Sequence, residues 1–431
     1  MYLCTKKYLN QQFGIDNKLC SLSEKVEDDI KPRFAELDEL KEYNQYKVLK
    51  AFQKNRVSDA HFTFSTGYGY GDIGRDTLDK VYADVFNCED CLVRPHMVSG
   101  THAIAVALFG NLRPGDTLFS ISGTPYDTLE EIIGIRKSAG SLKEYGVNYK
   151  QVNLTEDGCF DYGNIKDVLL HDSSIKLIEI QRSTGYGWRP SLTLEKIKRV
   201  IGFIKSIKSD VICFVDNCYG EFIDTIEPTE IGADIIAGSL IKNPGGGIAP
   251  TGGYVAGKAK YVENASYRLT APGIGRECGS TFGVMRQLYQ GLFMAPHITI
   301  EALKGAIFCS RLFEILGFEV LPKMNDERSD IIQSIKFNNK DMLIAFCQGI
   351  QKGSPVDSFA SAEPWDMPGY NDQVIMAAGA FTQGSSIELS ADAPIRPPYI
   401  AYLQGGLTYE HSKIGVLIAL QNMISKGYIK L

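Results

Sequence analysis

No apolar run in this chain is long enough to cross a bilayer: stretches such as Val416-Leu-Ile-Ala-Leu420 are far too short, which argues against a membrane protein. No block of lysine and arginine stands anywhere that could replace phosphate counterions, and the formal charge of −6 also argues against a nucleic-acid partner. The opening Met1-Tyr-Leu-Cys-Thr-Lys-Lys7 lacks the apolar centre of a secretion leader, so a cytoplasmic location is expected and the sequons at Asn153 and Asn264 carry no meaning. Cys88-Glu-Asp-Cys91 is joined by no second CxxC and no histidine pair, so no metal site is expected. Neither internal repeats nor low-complexity tracts interrupt the chain.

What is present is ordinary core material, 44% hydrophobic and 22% charged residues over 431 positions, more than one core usually organises. Ten scattered cysteines suit a reducing compartment, where thiols behave as small hydrophobes. Residues 21–54 show helical spacing within a charged N-terminal segment assigned to 1–60. From 61 to 298, short apolar runs alternate with helix-like stretches: Leu118–Ile121, Lys176–Ile180, Val211–Val215, Asp234–Ala237 and Gly253–Ala256 read as strands, and Thr193–Lys208 as a connecting helix. That alternation predicts an α/β fold with a mainly parallel central sheet and helices on both faces. A helix over Thr299–Leu316, strands over Ile331–Phe337 and Ser386–Leu389 and a last helix over Tyr409–Ser425 predict a smaller α+β domain over 299–431.

Ligands of such sheets sit at the carboxyl ends of the strands, and two side chains fall there. Asp216 ends one apolar run, and Lys242 enters a glycine-rich turn, Lys242-Asn-Pro-Gly-Gly-Gly247, after another. A lysine in that setting is a candidate Schiff-base former, its ammonium disfavoured by burial and its pKa expected to fall. Ser99-Gly-Thr101 precedes an apolar helix, Ala103–Phe109, and offers hydroxyls and free N–H groups to a phosphate; a plain helix cap is the bland alternative. Tyr126 follows the Leu118–Ile121 run and could stack on a planar ring, or simply be a core tyrosine.

In order, these parts resemble the fold-type-I enzymes that use pyridoxal phosphate. More narrowly, Gly67-Tyr-Gly-Tyr-Gly71, Ser99-Gly-Thr-His-Ala103, Gly123-Thr-Pro-Tyr126, Val215-Asp-Asn-Cys-Tyr-Gly-Glu-Phe222 and Gly238-Ser-Leu-Ile-Lys242 resemble the methionine gamma-lyase/cystathionine beta-lyase-like family often labelled aluminium resistance proteins. The resemblance extends through Gln383–Asp392 and Ile395–Tyr399, nearly the whole chain. It implies a lyase that cleaves a C–S bond of a sulfur-containing amino acid by β- or γ-elimination. In it Lys242 would bond the cofactor and shuttle the α-proton, and Asp216 would pair with the ring nitrogen. Ser99, Gly100, Thr101 and Ser239 would hold the phosphate, and Tyr126 would stack on the ring and assist the leaving thiol. Tyr68 or Tyr70 would reach the phosphate of a neighbouring subunit, which implies a homodimer at least and a tetramer beyond it.

The chain departs from the pattern of the better-known transsulfuration enzymes in two places. Glu388 stands directly before Leu389-Ser390, where relatives place an arginine nearby, leaving Arg396 as the nearest cation for a substrate carboxylate, or as a surface arginine beside two prolines. Gln181-Arg-Ser183 stands where many relatives carry an asparagine, which makes Arg182 a second substrate-binding candidate. Transamination, racemisation on another amino acid, or a catalytically silent scaffold remain open alternatives. Ser239-Leu-Ile-Lys242 also fits the S-x-x-K pattern of serine acyl-enzymes, but its companion triplets are missing. Gly252–Lys258 matches a P-loop without its Ser/Thr.

Overall fold

The computed structural model describes residues 5–431; the first four of the seven residues read for a leader lie outside it. The chain divides into two compact units, one of Tyr43–Gly185 with Ser191–Pro296, the other of residues up to Glu42 with Tyr186–Pro190 and His297–Leu431.

The first unit is built on seven strands: β1 (Asp90–Arg94), β2 (Thr117–Ser120), β3 (Asn148–Gln151), β4 (Ile175–Gln181), β5 (Ile212–Asp216), β6 (Ile235–Ser239) and β7 (Gly253–Gly257). Their order is β1-β7-β6-β5-β4-β2-β3. The run from β6 to β3 is parallel, and β7 alone runs against its neighbours β6 and β1. Side chains on a strand alternate between faces, and here both faces are apolar, as expected of a sheet covered twice. Along β5, Ile212 and Phe214 enter one core, while Cys213 and Val215 enter the other. Leu177 and Ile178 on β4, and Ile235 and Ile236 on β6, divide the same way. Helices Ile73–Val85, Tyr162–His171 and Leu194–Ile207 cover the Val215 face; helices Gly100–Asn111 and Ala259–Leu269 cover the Phe214 face. The helix Leu194–Ile207 buries Leu194, Ile197, Val200, Ile201 and Ile204, a 3.6-residue stripe, and Thr193 caps it by accepting the Lys196 N–H at 3.3 Å.

The second unit carries an antiparallel sheet of β8 (Glu319–Leu321), β9 (Gln333–Lys336), β10 (Val374–Ala377), β11 (Ser390–Pro394) and β12 (Ile400–Gln404), ordered β10-β11-β12-β9-β8. Helices Lys340–Lys352 and Tyr409–Ser425 belong to it, and the latter has the bounds read from the sequence. Two boundaries differ. The helix expected from Thr299 starts at Met285 and runs through Pro296; against the expectation from its broken apolar runs, its length and mean hydropathy would suit a membrane span, yet 83% of its most apolar stretch is buried, which accounts for its composition. The strand expected over Ser386–Leu389 begins instead at Ser390, because Glu388 is buried and its carboxylate accepts the Phe381 and Thr382 N–H groups at 2.8 and 2.9 Å, holding the chain in a loop.

Candidate active site

Alternation along the strands decides which side chains meet. Counting from Leu177, Phe214 and Ile235, the last residues of β4, β5 and β6 put Gln181, Asp216 and Ser239 on one face. On that face lies the helix Gly100–Asn111, whose first turn is capped by Ser99 accepting the His102 N–H at 3.1 Å. The approach is close. A Cβ built on Gly100 would stand 3.1 Å from Cys218 Sγ, 3.2 Å from Ser239 Cβ and 3.8 Å from Lys242 Cε, so the missing side chain leaves a cradle where the helix N-terminus, Ser239 and Lys242 converge. Thr101 Oγ1 lies 2.9 Å from Thr128 Oγ1, tying this helix start to the turn that carries Tyr126. Tyr126 and Gln181 come together beneath Gly185, where a Cβ would meet Gln181 Nε2 at 2.9 Å and the Tyr126 ring at 3.3 Å.

Asp216 is buried, and the Cys218 N–H donates to its Oδ1 at 3.1 Å. Burial pushes its pKa up, and the Cys218 hydrogen bonds and the nearby Lys242 charge oppose that only in part. The carboxylate therefore favours a further cationic neighbour. Lys242 is half-buried, and its pKa moves against the expectation from sequence: burial alone would lower it, but Tyr219, Cys218 and Asp216 outweigh burial and raise it. Its Nζ sits 3.7 Å from the centroid of the Tyr219 ring. Cys218 and Tyr219 stand in the Val215–Phe222 motif, but no role for them or for Thr128 is readable from the sequence, since their placement depends on a turn and on a contact between two helix starts.

Behind this face lies a second polar group. Arg182 and Asn217, each one residue past a strand end, point the other way, and Arg182 donates to Asn217 Oδ1 at 2.9 Å, Gly220 O at 2.8 Å and Asp224 Oδ2 at 2.7 Å, with Glu227 at 3.8 Å. The arginine offered by the sequence for substrate is thus fully buried among these partners, on the face away from Asp216. Asn217 also donates to Glu227 and Tyr254, and Tyr254 donates to Glu221 Oε1 at 2.7 Å. Burial lifts the Glu221 carboxyl to about 8, against the Tyr254 hydrogen bond.

Tyr68 and Tyr70 are exposed and stacked on one another, ring centroids 5.3 Å apart. Their loop is pinned by buried Arg75, which donates to Gly69 O at 2.8 Å and Gly279 O at 3.1 Å. Arg396 is exposed in the other unit and pairs with Asp372 at 3.0 Å. Among the described residues no cluster of His, Cys, Asp and Glu is suited to a metal ion.

The residues present fit pyridoxal phosphate: a glycine cradle at a capped helix start for the phosphate, a hydroxyl on the adjoining strand end, an under-neutralised carboxylate for a protonated ring nitrogen, and an amine at the cradle's mouth. Fold and site define the class of fold-type-I pyridoxal-phosphate enzymes; the pyridoxal-5'-phosphate dependent protein YhfS from Escherichia coli shares the fold, with a TM-score of 0.60 at 16% identity, covering 90% of this chain and 97% of that one. The chain belongs to the methionine gamma-lyase family, whose model matches residues 19–424. It is 54% identical over 406 residues to the uncharacterized protein YnbB of Bacillus subtilis (strain 168), covering 94% of this chain and 96% of that protein. Among solved structures it is similar to a carbon-sulfur lyase involved in aluminum resistance from Clostridium novyi NT, with 64% identity, a TM-score of 0.94 and coverage of 98% and 100%. A protein described as a candidate cystathionine beta-lyase involved in aluminum resistance, from Clostridium acetobutylicum, gives 61% identity, a TM-score of 0.95 and the same coverage.

Proposed function

We propose that this chain is a pyridoxal-phosphate-dependent lyase that cleaves a C–S bond of a sulfur-containing amino acid by β- or γ-elimination. Its family and the names of its structural neighbours support the carbon–sulfur lyase class. One observation carries the reading: Gly100, Cys218, Ser239 and Lys242 close on a single cradle at a helix N-terminus, beside the buried Asp216.

Pyridoxal phosphate, when bound, supplies an electron sink next to the substrate's α-carbon. In this reading Ser99, Gly100, Thr101 and Ser239 hold its phosphate through the helix N–H groups and hydroxyls. Asp216 keeps the ring nitrogen protonated, which relieves the excess of burial over charge at its own carboxylate. Lys242 would bond the cofactor through Nζ, be released when the substrate's amine takes its place, and as the freed neutral amine take the substrate's α-proton. Tyr126 would stack on the ring and give a proton to the departing thiolate. Arg396 takes the substrate carboxylate in exchange for Asp372, an exposed pair of the kind worth about 0–1 kcal/mol and therefore easily traded. Arg182, held among four partners, braces the strand ends and does not touch substrate.

Tyr68 or Tyr70 reaches the phosphate of a second subunit, and their exposure at 69% and 66%, with Phe64, Val98 and Phe282 also exposed in the same unit, supports a homodimer as the working unit and a tetramer beyond it. Nine described cysteines, all free thiols, suit the cytoplasm. Supplying the purified protein with pyridoxal phosphate and screening amino acids for release of keto acid and thiol tests the function. Release from at least one sulfur amino acid is expected; α-proton exchange with no thiol released would move the reading to transamination or racemisation.

A further inference from the structure

We propose that Tyr219 is a positioning residue for Lys242: the face of its ring seats the protonated ε-amine at the place from which that amine acts. Three observations support it. The Lys242 Nζ lies 3.7 Å from the ring centroid, well within cation–π range. Tyr219 holds φ at +72°, a left-handed conformation that a bulky residue rarely adopts and that persists only where its surroundings impose it. The imposing group is Asn243, the residue next to Lys242, whose Nδ2 donates to Tyr219 O and Glu221 O at 3.0 Å each. Gly220 N donates to Asn217 O at 2.9 Å and closes the same turn. The chain thus spends a strained turn, locked from the lysine's own neighbour, on bringing one aromatic face to one amine.

A ring face attracts the ammonium and not the neutral amine, so Tyr219 favours the proton-bearing form. The other groups around the amine are Asp216 at the end of β5, Cys218 in the turn, Ser239 on β6 and Gly100 at the helix start. Of these, Asp216 and Cys218 titrate, and burial raises both, the Cys218 thiol well above its ordinary value. The proposal rests on the lyase reading only for what the amine goes on to do.

The test is made on the full chain without cofactor, by competitive labelling with acetic anhydride across pH and mapping of the Lys242 peptide. The Tyr219→Phe protein should label with a midpoint close to the parent, since the ring face is kept. The Tyr219→Leu protein should show a midpoint lower by about half a pH unit or more. If the leucine variant fails to fold, replacing Tyr219 by phenylalanines of increasing fluorination keeps the shape and weakens the face, and the midpoint should fall step by step. A fluorination series with a constant midpoint, or a phenylalanine variant shifted as far as the leucine one, would overturn the proposal. Absorbance titration of the parent protein with pyridoxal phosphate is read separately: no binding would end the lyase reading and leave the labelling result standing.

Discussion

Gln181 and Asp216 stand in register across the parallel pair β4–β5, so their side chains leave the sheet on the same face, and the residue after each leaves on the other. This two-residue period separates a face that meets the Gly100 cradle from a face that holds a buried ion network. It assigns Arg182 to the second.

Arg182→Met should therefore act on stability. Removing the cation takes from the buried Glu227 one of its nearby positive charges and from the partly exposed Asp224 its hydrogen-bonded partner, a change expected to cost less than the roughly 3–5 kcal/mol of a fully buried pair. Denaturant unfolding measures it. Unchanged stability with a raised KM for substrate would instead return Arg182 to the substrate.

Gly100→Ala should weaken the cofactor more than the fold. The added methyl group meets Cys218 Sγ and Ser239 Cβ at 3.1 and 3.2 Å, distances at which the neighbours must shift by a few tenths of an ångström. Roughly tenfold weaker binding of pyridoxal phosphate is expected, about 1.4 kcal/mol, by absorbance titration. An unchanged affinity would mean that the cradle is not the phosphate seat.

Glu221 gives a pH signature. With its carboxyl lifted to about 8 by burial, the folded chain keeps a proton between the ordinary value of 4.5 and about 8 that the unfolded chain has lost. Stability should therefore fall as pH rises through that window, by at most about 1.4 kcal/mol per pH unit. Glu221→Gln removes the titration, and its thermal midpoint should vary less with pH than the parent's. Equal slopes in the two proteins would place the proton elsewhere.

Replacing Tyr68 and Tyr70 together by alanine should weaken subunit association, seen as a rise in the dissociation constant by sedimentation, and should lower activity in step with the loss of dimer. Dimers of unchanged affinity would remove both rings from the interface.

Much of this was legible in the sequence, because apolar runs ending in a lone polar residue report strand ends directly. The sequence places β5 and β6 to within two residues, and Asp216 and Ser239 end them. β3 escapes the sequence reading because Asn148–Gln151 is a largely exposed edge strand without an apolar run. That β7 runs against its neighbours could not be read, since the pattern of a strand buried on both faces carries no direction. The Tyr219 contact depends on a left-handed turn at a non-glycine residue, and Glu388 looked like a departure from an arginine pattern until its two N–H partners explained it. The upward shift of Lys242 is not readable from the sequence, because it comes from Tyr219, Cys218 and Asp216, which only the fold brings beside the amine.

The central claim is that Lys242 is the amine that bonds the cofactor. Borohydride reduction of the protein loaded with pyridoxal phosphate, followed by peptide mapping, measures it directly. The account predicts a single phosphopyridoxyl mark on Lys242, absent from a folded Lys242→Ala variant; a mark on any other lysine, or one that survives that substitution, would contradict it.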